Sequence, residues 1–265
     1  NTTANDNTAV GKNSMLTNTE GYSNTAIGIY SLRQNTTGDN NVAVGQSALL
    51  TNTTGDDNTA VGYNALYYNT ASDNTAVGMT AMEANTTGTK NVAVGFEALH
   101  LNTTGGNNIA IGMQALHANT TANYNIAIGE SAMDNADAVE DNIAIGRASQ
   151  AKGSQNVAIG AQARGGNTSV VTGAIGIGNQ AAANNDFSIA IGSTATADAD
   201  YAISIGQGTN NLNTNSCAIG RGASTDAANQ LAIGTAVNPL GATDAVTSFT
   251  QSGRWTVKIN GIDYY

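Results

Sequence analysis

The stretch Asn41-Val42-Ala43-Val44-Gly45 recurs, slightly altered, as Asn58-Thr59-Ala60-Val61-Gly62, and this word sets the pattern for most of the 265-residue chain. In both copies two β-branched side chains flank an alanine, so the side-chain character alternates with a period of two. That period is typical of a β-strand, whereas a helix would require spacings of three and four. Each copy therefore predicts one short strand that ends at a glycine.

The same five-residue word recurs along the chain in fifteen copies. They start at Asn7, Asn24, Asn41, Asn58, Asn74, Asn91, Asn108, Asn125, Asn142, Asn156, Thr172, Ser188, Ala202, Ser216 and Gln230. The interval between successive starts is 16 or 17 up to Asn142, and 14 or 16 beyond it. Because a short fixed period is the signature of repeat architectures, we expect a solenoid in which long coils are followed by short ones.

Within the word, each position has its own residue type. The fifth position is always Gly, the fourth is always Val or Ile, and the third is Ala in every copy except Ser204. A coil this short leaves room for one layer of side chains, so we expect the Ala and Val/Ile columns to fill the interior together. The repeat ladder is represented by Asn41, Ala43, Val44, Gly45, Asn58, Ala60, Val61, Gly62, Asn108, Ala110, Ile111 and Gly112.

The long coils carry a second pattern after the glycine. Ser or Ala is followed there by Met or Leu, as in Ala48-Leu49, and predicts a second short strand. A turn word such as Asn52-Thr53-Thr54-Gly55 comes next, since Asn and Gly tolerate positive φ and Asn or Thr side chains bond nearby backbone. Two strands and two turns make one coil, which pairs with the next through parallel backbone hydrogen bonds.

These patterns predict an all-β chain that forms a parallel β-solenoid of about fifteen coils. Residues 1–141 form the long-period array, residues 142–238 the short-period array and residues 239–265 a C-terminal β cap. Within the cap, Trp255–Tyr265 alternates like a hairpin around an Asn260-Gly261 turn.

Composition excludes several function classes. The chain has 9 Lys and Arg against 19 Asp and Glu, and no basic cluster, so nucleic acid is not an expected partner. No run approaches the roughly 18 apolar residues of a membrane helix, so no membrane insertion is expected. Cys217 is the single cysteine, which excludes internal disulfides.

Because so narrow a roll buries little apolar area, we expect lateral association as a homotrimer, with one sheet of each chain facing a common axis.

The later words resemble a known repeat family. Asn156-Val157-Ala158-Ile159-Gly160-Ala161-Gln162-Ala163 and Ser188-Ile189-Ala190-Ile191-Gly192 look like the repeats of YadA-like head domains of trimeric autotransporter adhesins. The resemblance covers about residues 7–240 and implies a left-handed parallel β-roll of three chains. The long-period copies add a turn and a Leu/Met column, and in this they resemble longer arrays in bacteriophage and other viral fibre proteins.

This resemblance implies a non-enzymatic structural and adhesive fibre. We expect the shaft or head of a phage or virus tail fibre at the virion surface, which attaches to a host glycan or protein receptor. Asn1-Thr2-Thr3-Ala4 matches the turn word, so upstream fibre or virion components are also expected partners. A bacterial trimeric autotransporter-type adhesin at the cell surface is the alternative. A polysaccharide-cleaving tailspike has less support, since no coil bears the irregular insertion that a carboxylate cleft would require.

No catalytic, cofactor-binding or metal-binding residue is predicted. His100 and His117 are the only histidines, and the repeat stacks them in adjacent coils at a turn edge, where a metal would need further ligands. We interpret the acidic residues before several Asn words as a solvated edge: Asp39, Asp56, Asp57 and Asp73. Five Asn-x-Thr sequons are explained by turn chemistry, although each could in principle accept a glycan: Asn35, Asn52, Asn85, Asn102 and Asn119.

Overall fold

The chain folds into β-strands and turns. The computed structural model describes residues 5–134, 139–168, 170–234, 257–259 and 262–264. All regular elements within these ranges are strands, and the chain divides into two compact units, Asn1–Asp141 (unit 1) and Asn142–Tyr265 (unit 2). The described residues make about 13 turns, close to the fifteen coils expected from the count of words. The predicted all-β parallel solenoid is thus confirmed.

Unit 1 carries one strand per repeat word. Its described strands are β1 (Thr8–Val10), β2 (Thr25–Ile27), β3 (Val42–Val44), β4 (Thr59–Val61), β5 (Thr75–Val77), β6 (Val92–Val94), β7 (Ile109–Ile111) and β8 (Ile126–Ile128). Each strand pairs in parallel with the next and in register, so that Ala43 lies between Ala26 and Ala60. The repeat period therefore becomes a straight column of alanines along unit 1.

Unit 2 contains two parallel ladders. The first consists of β9 (Ile143–Ile145), β11 (Val157–Ile159), β13 (Ile175–Ile177), β15 (Ile189–Ile191), β17 (Ile203–Ile205), β19 (Cys217–Ile219) and β20 (Leu231–Ile233). The second consists of the two-residue strands β10 (Gln150–Ala151), β12 (Arg164–Gly165), β14 (Ala182–Ala183), β16 (Thr196–Ala197) and β18 (Asn210–Asn211). The short coils that these strands form are therefore bounded by two parallel β-sheets.

The predicted cap at 239–265 is described only in part. β21 (Val257–Ile259) and β22 (Ile262–Tyr264) pair antiparallel, with Val257 opposite Tyr264, as expected for a hairpin. The predicted Asn260-Gly261 turn and the remainder of the cap lie outside the described residues.

The interior is narrower than predicted, because the Val/Ile columns do not lie in it. Ala43, Ala60 and Ala110 are fully buried, whereas Ile111 is 39% exposed. Successive side chains of a strand point to opposite faces, so burying the alanine turns both of its β-branched neighbours outward. Unit 1 also buries Leu and Met side chains such as Leu49. The expectation that Val and Ile share the interior with Ala was wrong.

The second strand predicted for the long coils is absent from the described part of unit 1. In its place the backbone has positive φ at alternate residues, as at Ser47 (59°) and Leu49 (51°). Left-handed residues at every second position cannot form an extended strand. Coils still bond to each other here, since the Leu49 N–H donates to the Ala65 carbonyl at 3.0 Å. Among the described residues, the second strand forms only in the short coils of unit 2.

The repeat word predicted to start at Thr172 has a different register. Ile175 pairs with Val157, and Gly176 with Ala158, so the word starts at Ala174. The intervals between the starts at Asn156, Ala174 and Ser188 are therefore 18 and 14 instead of 16 and 16. The word-ending glycine is Gly178, with φ of 133°, and Gly176 instead takes the interior place of the alanine.

Candidate functional site

The ladder residues predicted from the sequence have three different positions in the coil. Asn41, Asn58 and Asn108 are fully buried, as are the alanines that follow them in the same words. Gly45, Gly62 and Gly112 have φ of 130°, 144° and 132°. The Val or Ile between Ala and Gly points outward in each of these coils, at Val44, Val61 and Ile111. The interior columns hold the fold, and the outward columns form the surface that can contact a partner.

Unit 1 exposes an apolar face beside its strands. We call it the apolar face. Its members are the outward Val or Ile of each repeat word and the residue directly after the glycine that ends the word. The exposed members are Val10, Ile27, Ile29, Tyr63, Val77, Met79, Phe96, Ile111 and Met113. Polar residues interrupt it at Lys12, Gln46 and Glu130. Met79, Phe96 and Met113 occupy the same position in three successive coils and are 48%, 37% and 44% exposed. Exposed apolar side chains that form a contiguous patch mark an interaction surface, whereas single ones do not.

Unit 2 also has an outward aliphatic column, but without the large neighbours. Ile191, Ile205 and Ile219 are each 37% or 38% exposed. The residues after the word glycines are small or polar there: Arg147, Ala161, Asn179, Ser193, Gln207 and Arg221. The broad apolar surface is therefore specific to unit 1.

Two columns of buried asparagine side chains join the long coils together. The Asn41 side-chain amide donates to the Gly55 carbonyl at 2.8 Å, and the Asn52 amide donates to the same carbonyl at 2.9 Å. The Asn41 Oδ1 accepts the backbone N–H of Asn58 in the next coil at 3.0 Å. Each asparagine that begins a repeat word, such as Asn41, therefore bonds to a turn of its own coil and also to the backbone of the next coil. These hydrogen bonds satisfy the polar atoms of its buried amide.

This arrangement gives the sequon asparagines a structural role. Asn35, Asn52, Asn85 and Asn102 are fully buried and Asn119 nearly so. A buried amide whose nitrogen already donates to a turn carbonyl cannot carry a bulky surface glycan. The structure thus favours the turn interpretation of these sequons over glycan attachment.

The two histidines stack as predicted, and each lies near a glutamate. The imidazoles of His100 and His117 are 5.4 Å apart between ring centroids and 18° from parallel. His100 Nδ1 lies 3.8 Å from the Glu83 carboxylate, and His117 Nε2 lies 3.7 Å from that of Glu97. Within the described ranges, no group of three or more His, Cys, Asp or Glu side chains is arranged to hold a metal ion.

The acidic edge of unit 1 bonds to backbone. Asp39 Oδ1 accepts the N–H of Tyr22 at 2.9 Å, and Asp56 Oδ1 accepts the N–H of Asp39 at 2.8 Å. The Asp39 carboxylate also raises the pKa of the exposed Tyr22 phenol. These bonds join successive coils, so two of the four acidic residues predicted to be solvated also have a structural role.

Cys217 carries a free, partly buried thiol. Burial raises its pKa above the ordinary value, whereas a nucleophilic cysteine requires a lowered one.

Sequence reasoning missed an exposed aromatic pair in unit 2. Phe187 and Tyr201 stack with ring centroids 5.3 Å apart and planes 14° from parallel. Both lie in the turn just before a strand, where most other coils have a small or polar residue. That departure from the repeat pattern is visible in the aligned words and is the signal that could have found the pair.

No protein-family model and no curated protein matches the chain. In the part of the chain that the structure describes, no helix has the length and apolar character needed to cross a bilayer. The exposed surfaces of the two units are therefore the basis for assigning function.

Proposed function

We propose that this chain is a non-enzymatic structural and adhesive fibre protein. It acts as a homotrimer that forms the shaft or head of a phage or virus tail fibre at the virion surface and attaches it to a host cell. The observation that carries the proposal is the apolar face of unit 1, where Tyr63, Met79, Phe96 and Met113 are exposed in neighbouring coils. Packing three such faces around one axis removes them from water, which the isolated chain cannot do.

The repeat supports this mechanical role in two ways. Parallel backbone ladders and asparagine columns join each coil to its neighbours, so stability is distributed along each unit. Three identical chains also present three copies of any receptor-binding surface, which raises weak single contacts to a useful avidity. Neither feature requires a catalytic group.

The oligomeric state tests the proposal directly. Multi-angle light scattering of the purified chain at micromolar concentration is expected to give three times the 26.7 kDa chain mass. A well-folded monomer would contradict the proposal. Turnover in a reducing-sugar assay on polysaccharides of the host surface would contradict its non-enzymatic part.

Charge introduced on the apolar face is expected to dissociate the trimer. The triple variant Met79→Glu, Phe96→Glu and Met113→Glu places three carboxylates per chain at the proposed interface, where burying unpaired like charges is unfavourable. Light scattering should then show the single-chain mass or aggregation of exposed faces. The matched control is Leu101→Glu, because Leu101 is similarly exposed (40%) but lies outside the apolar face. A triple variant that stays trimeric, or a control that dissociates, would place the interface elsewhere.

A further inference from the structure

The aromatic pair of unit 2, Phe187 and Tyr201, lies on a regular column of turn residues. Gly173, Phe187, Tyr201 and Asn215 occupy the same position in four successive coils, two places before β13, β15, β17 and β19. Their φ angles are 68°, 53°, 57° and 55°, all in the left-handed region. The coil geometry therefore imposes a positive φ on whichever residue stands there.

In most other coils this position holds a residue type that tolerates a positive φ. The corresponding positions hold Asp6, Ser23, Asn40, Asp57, Asp73, Lys90, Asn107, Tyr124, Asp141, Gln155 and Asn229. Asn, Asp and Gly tolerate the left-handed region, whereas a bulky side chain there is an outlier. Phe187 and Tyr201 are therefore unfavourable choices for the local backbone.

Burial does not compensate for that choice. Phe187 is 48% exposed and Tyr201 is 54% exposed, so neither ring belongs to the core. Residues that break a local rule without a gain in packing are expected at functional positions, and exposed aromatic side chains are characteristic of binding surfaces. The pair is thus better explained by recognition than by folding.

The geometry of the pair leaves one ring available. A Cβ at Gly173 would lie 2.8 Å from Phe187 Cδ1, so the glycine makes room for the Phe187 ring. Phe187 is held between Gly173 and Tyr201, whereas the residue beyond Tyr201 is the smaller, exposed Asn215. Phe187 therefore supports the Tyr201 ring, and the outer side of Tyr201 can receive a flat ligand.

Polar groups around the pair match a hydroxyl-rich ligand. Asp186 and Asp200 directly precede the two rings, and the Asn185 amide donates to Asp200 Oδ1 at 3.4 Å. Carboxylates accept hydrogen bonds from hydroxyls, and amides both donate and accept them. Residues 184–215 contain no Lys, Arg or His, so this segment supplies no cation to pair with an anionic ligand.

From these observations we propose that Phe187 and Tyr201 form a binding platform for a neutral sugar ring of a host-surface glycan. The apolar C–H face of the sugar stacks on Tyr201, in the way that apolar groups pack on an aromatic face, while the sugar hydroxyls bond to Asp186, Asp200 and Asn215. Sialylated glycans are disfavoured because their carboxylate would approach two aspartates. This inference rests on the proposed adhesive function and names its ligand class.

The repeat supplies the variant that tests the platform. Tyr201→Asn gives this coil the residue that the next coil already has at Asn215, so the fold is expected to be retained, with a melting temperature that is unchanged or higher. Binding is measured on the full chain by glycan array and calorimetry. The probes are neutral oligosaccharides built from mannose, galactose or N-acetylglucosamine, together with sialyllactose. We expect at least one neutral oligosaccharide to bind, sialyllactose not to bind, and Tyr201→Asn to lose at least tenfold in affinity.

The matched control is Tyr124→Asn in unit 1. Tyr124 has the same backbone conformation (φ 59°) and is similarly exposed (56%), but no neighbouring ring is stacked on it among the described residues. The control should bind sugars as the parent chain does. The proposal is overturned if no neutral oligosaccharide of the panel binds, if sialyllactose binds best, or if Tyr201→Asn and Tyr124→Asn behave alike. A failure here with an intact trimer would remove the platform and leave the fibre proposal standing.

Discussion

Replacing Gly62 with alanine is expected to be among the most damaging single substitutions in unit 1. A Cβ at this residue would lie 2.3 Å from the carbonyl oxygen of Gly78 in the next coil, and φ is 144°, which side chains rarely adopt. Because the obstructing atom is backbone, the two coils would have to separate. We expect a loss of about 4 kcal/mol or more of unfolding free energy, the range of the most severe core changes. The melting temperature should fall by roughly 10 °C.

Thermal denaturation followed by circular dichroism measures this effect, and limited proteolysis locates it. Since each coil contacts only its neighbours, new cleavage is expected near Gly62 and Gly78. The control is Gly208→Ala, where φ is also positive (66°) but the nearest atom to the added Cβ, Thr194 Oγ1, is 3.9 Å away. This control should lose only about 1 kcal/mol, from the left-handed backbone alone. Equal losses of unfolding free energy in the two variants would show that the glycine at the end of the repeat word is not required for the close spacing of the coils.

The second large effect is expected from Asn41→Leu, which keeps the side-chain size and removes its polar atoms. The Asn58 N–H would lose the Asn41 Oδ1 that it bonds at 3.0 Å, and the Gly55 carbonyl would lose one of its two amide donors. A buried polar group left without its partner costs about 1–3 kcal/mol. We therefore expect a loss of about 3 kcal/mol in unfolding free energy, measured by chemical denaturation.

The matched control for this change is Asn179→Leu. Asn179 is exposed, and its amide makes a single long bond to the Ala161 carbonyl at 3.4 Å. Its replacement should change the unfolding free energy by less than about 0.5 kcal/mol. If the two leucine variants were equally stable, the buried asparagine column would contribute nothing beyond filling space.

Much of the fold follows from the word itself. Gly62 and its equivalents end a strand in every described coil, the period of two between Thr59 and Val61 specifies that strand, and the Asn-Thr-Thr-Gly words specify the turns. The stacking of His100 on His117 also follows from the period, because residues one repeat apart must lie in adjacent coils. These features depend on local sequence, and they recur in each coil because the sequence repeats.

Which side chains are exposed was harder to predict from the sequence than the fold. Alternation in the word shows that Ala60 and Val61 point to opposite sides but not which side is buried, and the burial of the alanine left Val and Ile outside. The wrong register at Thr172 has a related cause, since Gly176 and Gly178 both fit the word and only the pairing of Ile175 with Val157 distinguishes them. The aromatic pair departs visibly from the repeat pattern, but its significance was missed because it depends on a φ angle and on exposure.

The sequence by itself determined that this chain is a parallel β-solenoid of long and then short coils, because side-chain alternation, turn residues and a fixed period are encoded within one repeat. The tertiary structure decided which columns face inward, where the second strand forms and which side chains remain exposed. Those features depend on which face of each strand closes onto the interior, because once the alanine is buried, alternation turns its Val or Ile neighbours outward. The apolar face, which carries the fibre proposal, results from that constraint, whereas the aromatic pair results from two turn residues that depart from the repeat pattern.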